Sequence, residues 1–182
     1  MKKYISILMI FGFLLSFQSC ASQGSSDPTI VNALVNSQEF TFHAQRANPT
    51  NYDVINVMNS LPNTTSSRIL NLNGDYTIIV SKNNVDVDLP YFGRVFNPSY
   101  GSTDKNGYKF TSKDYIINKS QNKKGNWVIQ ISPKDMSTVD KINIEVFTNG
   151  KAFVSVSSND RQPITYDGYV SKNEVKQVKE KP

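Results

Sequence analysis

At 182 residues, with 20 Lys and Arg against 15 Asp and Glu, the chain suits one domain able to bury a core without staples. One cysteine excludes an internal disulfide, and a single histidine with no cysteine in the folded part, since Cys20 stands at the end of the leader, excludes His/Cys zinc sites and Cys–His nucleophilic pairs. The formal charge of +5 is mild, and no basic stripe or RNA-binding aromatic motif is present, so no nucleic-acid partner is expected.

The chain opens with a positive Met1-Lys2-Lys3-Tyr4 and an apolar run from Ile5 to Phe17 that is too short to span a bilayer. Residues 1–19 therefore read as a removable export signal. Its loss takes Lys2 and Lys3 and leaves 18 basic residues against 15 acidic ones, a charge of +3. Cys20, the only cysteine, stands at the end of this run and is followed by Ala21-Ser22-Gln23-Gly24-Ser25-Ser26. That placement predicts a lipoprotein acylation site, with diacylglycerol on the thiol and a fatty acyl group such as palmitate on the new amino terminus. Several buried chains at about 0.8 kcal/mol per methylene hold such a protein on its membrane. The competing reading is ordinary secretory cleavage at Ser19-Cys20-Ala21, which discards Cys20. Ala21, with no acidic cluster after it, fits the periplasmic face of an outer membrane.

Residues 20–28 form a polar tether with a root-mean-square reach of roughly 16 Å. Asp27 is a plausible N-cap and Pro28 a first helical residue for a short amphipathic helix carrying Ile30, Val31, Leu34 and Val35. From Gln38 onward the pattern is β. Phe40, Phe42 and Ala44 alternate with Thr41, His43 and Gln45, and Tyr76–Val80 and Val85–Leu89 flank Asn83-Asn84 as a two-residue hairpin turn. The stretch 47–67 is the least periodic and reads as exposed loop with room for one short element around Tyr52–Met58. Further strands are predicted at 108–117, 127–131, 139–147, 152–156 and 164–170, separated by turn-forming Gly, Asn, Asp and Pro. The expected fold is mainly β: a single antiparallel meander over 29–171 forming a small barrel or sandwich with a short N-terminal helix, then a basic flexible tail at 172–182.

Four strings carry a family resemblance. They are Leu89-Pro90-Tyr91-Phe92-Gly93-Arg94, Gly107-Tyr108-Lys109-Phe110, Thr148-Asn149-Gly150-Lys151-Ala152 and Ile164-Thr165-Tyr166-Asp167-Gly168. With them the chain resembles domain-of-unknown-function family 4251, small exported proteins of Bacteroidetes, from the N-terminal helix to Tyr169. Asn106-Gly107 replaces an expected pair of glycines. The resemblance implies a lipoprotein and transfers no activity and no catalytic residue.

Tyr91, Phe92, Arg94 and Tyr108 form the candidate ligand-binding set, because aromatic faces suit sugars or acyl chains while hydroxyls and a guanidinium add direction. The same residues also suit a structural corner that plugs the barrel end. Asp86 and Asp88 share one strand face, where solvation is the simpler expectation than calcium. His43 reads as a rim residue and Trp127 as a core or barrel-mouth ring. No nucleophile elbow or other strong catalytic motif occurs. The functional expectation is a non-enzymatic, cofactor-free, lipid-anchored envelope protein that binds a glycan, lipid or peptide ligand. The alternative is a structural protein docking on an envelope partner through an exposed strand edge or the 47–67 loop.

Overall fold

Alternation of apolar and polar residues decides which face of each strand meets the core, and in this computed structural model it does so along most of the chain. Residues 27–62, 65–96 and 107–174 are described. The export signal, Cys20, most of the tether and residues 175–182 of the tail lie outside them. The elements are α1 (Pro28–Ser37), β1 (Phe40–Pro49), α2 (Tyr52–Ser60), α3 (Ser66–Leu70), β2 (Thr77–Val80), β3 (Val85–Pro90), β4 (Gly107–Ser112), β5 (Tyr115–Gln121), β6 (Trp127–Pro133), β7 (Val139–Val146), β8 (Lys151–Ser158) and β9 (Ile164–Ser171).

The nine strands among the described residues join one antiparallel sheet in the order β4-β3-β2-β1-β9-β8-β7-β6-β5. Eight reversals separate the two edge strands, so β4 and β5 run in the same sense. Only Lys113 and Asp114 lie between them. The expected strand at 108–117 is thus one longer strand with a bend, whose first half pairs with β3 and whose second half pairs with β6. This bend brings the sheet round into a nearly closed barrel and leaves little unpaired edge. The Asp135 carboxylate holds the bend: it accepts from Ser112 Oγ, from the Lys113 amide at 2.8 Å and from the Asp114 amide at 3.2 Å. These bonds, that from Ser112 foremost, keep its pKa below the usual carboxylate range. Tyr115 Oη donates to Ser81 O at 2.7 Å and links β5 to the turn after β2.

The inward positions are filled. Phe40, Phe42, Ile78, Leu89, Ile142 and Tyr166 are all essentially inaccessible. Phe42 needs room that only glycine leaves, because a Cβ on Gly168 would collide with the His43 carbonyl oxygen and crowd the Phe42 ring at 2.8 Å. In β1, a bulge at Gln45 shifts the register between Ala44 and Arg46, so Ala47 rather than Arg46 turns inward. The Gln45 carbonyl accepts from Leu72 N at 2.8 Å.

Helix α1 begins as its sequence predicts. Asp27 Oδ1 accepts from the Thr29 amide at 2.7 Å, Pro28 occupies the first turn, and Gln38 ends the helix at φ 56°. Val31 and Val35 are each 1% exposed, a burial worth about 2 kcal/mol apiece. Trp127 Nε1 donates to Asn32 Oδ1 at 2.7 Å, and Lys119 Nζ reaches the Asn36 carbonyl at 3.0 Å. The helix therefore lies across the barrel end where β5 finishes and β6 begins.

Three sequence expectations change. The 47–67 stretch holds the end of β1, all of α2 and the start of α3 rather than one short element, with α2 capped by Asn51 Oδ1 accepting from the Asp53 amide at 2.8 Å. The β2–β3 turn centres on Lys82-Asn83, because Ser81 N bonds Asn84 O at 2.9 Å and Val80 faces Val85. The tail starts later than residue 172: Asn173 is pinned by Nδ2 to Val80 O at 2.9 Å and by Oδ1 to Thr41 Oγ1 at 2.8 Å.

Candidate functional site

Two regions compete, and each is fixed by strand geometry. The first is the corner that follows β3. Pro90 directs the chain out of the sheet, and its carbonyl accepts from Tyr166 Oη at 2.7 Å. Tyr91 Oη lies 2.9 Å from Arg94 O and 3.1 Å from Gln162 O, so its proton is shared between two backbone carbonyls. A Cβ on Gly93 would collide with that hydroxyl, which explains a glycine between Phe92 and Arg94. Val95 then pairs with Arg161 as an isolated antiparallel bridge, secured by Phe96 N to Asp160 O at 2.7 Å and Gln162 N to Arg94 O at 3.0 Å.

Arg161 is the centre of the corner. Its Nε and Nη2 bond the two Asp160 oxygens at 3.2 and 3.0 Å, and Nη1 bonds Gly107 O at 3.1 Å. Its guanidinium carbon lies 5.0 Å from the ring centres of both Tyr91 and Tyr108, rings that meet edge to face at 5.7 Å. Burial opposes the charge of Asp160. The bonds from Arg161 and Ser158 outweigh it and hold the Asp160 pKa below the usual range. Desolvation raises the Tyr91 pKa and pushes that of Tyr108 up to about 12. The Tyr108 hydroxyl has no hydrogen-bond partner among the described residues, and Ser158 beside it donates to Asp160 at 2.9 Å.

Of the sequence-predicted set, Tyr91 and Tyr108 come together, and Phe92 packs half-buried against the core. The Arg94 side chain points away, exposed and 3.9 Å from Asp53. The arginine between the tyrosines is Arg161, which sequence reasoning missed: a lone arginine in an Asn-Asp-Arg-Gln turn has the pattern of a solvated loop. Apart from the Tyr108 hydroxyl, these contacts occupy the directional groups of the corner, and its chemistry is that of a rigid joint between β3, β4 and the β8–β9 turn.

The second region is a groove of about 470 Å³ on the outer face of β1–β4, opposite the core. Thr41 and His43 of β1, Thr77 and Ile79 of β2, Asp86 and Asp88 of β3, and Lys109 and Thr111 of β4 line it, with Glu174 at its rim. Asp88 and Lys109 face each other across β3–β4 at 3.2 Å. Asp86 accepts from Thr111 Oγ1 and from Asn84 Nδ2 at 2.7 Å. His43 bonds Ser171 Oγ at 2.8 Å and stacks on Tyr169 at 4.8 Å. Among the described residues, no group of three or more His, Cys, Asp or Glu is placed to hold a metal ion. What the groove offers is a shallow array of alternating donors and acceptors beside the apolar atoms of Ile79 and Phe110.

A family model, DUF4251, described as a domain of unknown function, matches residues 24–170. The chain belongs to the DUF4251 family. A crystal structure of a DUF4251 family protein from Bacteroides eggerthii is similar at 16% sequence identity, with a TM-score of 0.49, over 82% of this chain and 89% of that one. No curated protein matches the chain. Within this DUF4251 domain, the Leu89–Arg94 string is the corner itself, and the Ile164–Gly168 string supplies both Tyr166 and the glycine beneath Phe42. Among the described residues, no helix is long and apolar enough to cross a membrane.

Proposed function

We propose that this DUF4251 protein is a lipid-anchored envelope lipoprotein that binds a small polar ligand without transforming it, and that the ligand occupies the β1–β4 groove. The carrying observation is the open groove of about 470 Å³ in which His43 of β1, Asp86 and Asp88 of β3 and Lys109 of β4 present donors and acceptors. The corner around Tyr91 and Tyr108 has its guanidinium, carboxylate and carbonyls already paired, which argues for moving the binding site from there to the groove. A glycan fragment suits the groove best, because adjacent hydroxyls match a carboxylate–ammonium pair at 3.2 Å while a sugar face rests on Ile79. An acyl chain needs an enclosed apolar cavity instead. The anchor is supported by Cys20 at the end of the export signal.

A second reading, docking on an envelope protein, is favoured by α2, where Tyr52 and Val57 are 80% and 62% exposed. Native mass spectrometry of the protein extracted gently from its own membranes separates the two. An acylated mass with a reproducible small-molecule adduct, lost in Asp88→Ala and Lys109→Ala, supports groove binding. An acylated mass with a protein partner and no adduct supports docking, and a chain starting at Ser22 overturns the anchor.

A further inference from the structure

We propose that the barrel end capped by α1 rests on anionic lipid headgroups, so that the domain has a fixed face toward its membrane. This rests on the lipid anchor proposed above and goes beyond it by assigning the contacting surface and the lipid charge.

Three observations converge on this end. First, the segment from Cys20 to Ser26 lies outside the described residues and joins the domain at Asp27, the cap of α1. Only seven residues, Cys20 to Ser26, separate an acylated cysteine from that helix, and fully extended they would span about 25 Å at most. Second, antiparallel connections alternate between the two ends of the sheet, which places at the α1 end the β2–β3 turn with Lys82, the β5–β6 turn with Lys123 and Lys124, Lys151 at the start of β8 and Lys172 after β9. All five lysines are exposed. Third, two apolar side chains protrude at the same end, Ile30 at 55% exposure and Phe147 at 36%.

The acidic residues at this end are few and partly engaged. Asp27 accepts from the Thr29 amide, Glu39 lies 3.9 Å from Lys82, Glu145 accepts from Asn122 and Asn126, and Glu174 sits at the groove rim. At the opposite end, where the β8–β9 turn crosses the corner, Arg161 is bound to Asp160 and Arg94 lies beside Asp53. Basic turns around a short tether, with single apolar residues between them, match the surface of an anionic bilayer.

The test is lysine acetylation footprinting of the acylated mature protein in vesicles of phosphatidylcholine with and without phosphatidylglycerol. In phosphatidylglycerol vesicles, Lys123, Lys124, Lys151 and Lys172 should label about threefold less than in detergent, with Lys109 unchanged and the protection fading at high salt. The double substitution Lys123→Glu and Lys124→Glu, folded by circular dichroism, should lose the protection at Lys151. Uniform labelling of an acylated chain overturns the orientation while leaving the anchor intact. Equal protection in pure phosphatidylcholine overturns the headgroup assignment, because shadowing by the anchor alone explains it. Protection only in the presence of a co-purified envelope protein makes this face a protein interface and overturns the proposal. An intact mass without acyl chains overturns anchor and orientation together.

Discussion

The guanidinium carbon of Arg161 lies 5.0 Å over the ring of Tyr108 while the same side chain clasps Asp160. The Arg161–Asp160 side chains are only 10% and 16% exposed. Removing one partner of a largely buried pair leaves the other charge uncompensated, which costs about 3 kcal/mol or more. Arg161→Leu should therefore lower the urea midpoint strongly. Arg161→Lys should recover little, since one ammonium cannot supply two carboxylate bonds and the Gly107 carbonyl bond together. Loss of less than about 1 kcal/mol in Arg161→Leu would mean that the corner is not a stabilising joint.

Alkaline unfolding reports on the same corner. Burial favours the neutral Tyr108, so its pKa rises from 10.0 to about 12 on folding. Its contribution is fully present below about pH 10 and is lost as pH climbs toward 12, a decline of about 2–3 kcal/mol. Burial raises Tyr91 and Tyr166 in the same direction. Tyr108→Phe should flatten part of this slope and cost little at pH 7, because the hydroxyl has no partner among the described residues. Urea midpoints measured between pH 7 and 11 decide it.

Gly168→Ala should destabilise by about 2 kcal/mol, as added volume in a packed core does. The methyl would meet the His43 carbonyl and the Phe42 ring, both fixed by β1–β9 pairing. A thermal midpoint within a degree or so of the parent would contradict the close approach of these strands.

Trp127 is the only tryptophan and its indole is bonded to Asn32 of α1. Its fluorescence therefore reports on the helix. Val35→Asp, which buries a charge under α1, should shift the emission to the red while the β-sheet circular dichroism persists. An unchanged spectrum would mean that the helix does not depend on its buried valines.

The sequence by itself determined what depends on near neighbours. Alternation along 40–44, 76–80 and 85–89 set which side chains face the core, and Asp27-Pro28 set the start of α1, because pleat and capping act within a few residues. The family strings marked the corner and brought Tyr91 and Tyr108 into view. Only the tertiary structure decided which arginine joins them. Arg94 lies in the marked string yet its side chain faces solvent, whereas Arg161, far along the chain, enters the corner because the β8–β9 turn crosses it. It also decided that β4 and β5 are one bent strand held by Asp135, and that Asp86 and Lys109 share a groove with His43. Each of these is a pairing across a strand register, and register is fixed by closure of the whole sheet around its filled core, a condition no local stretch of residues contains.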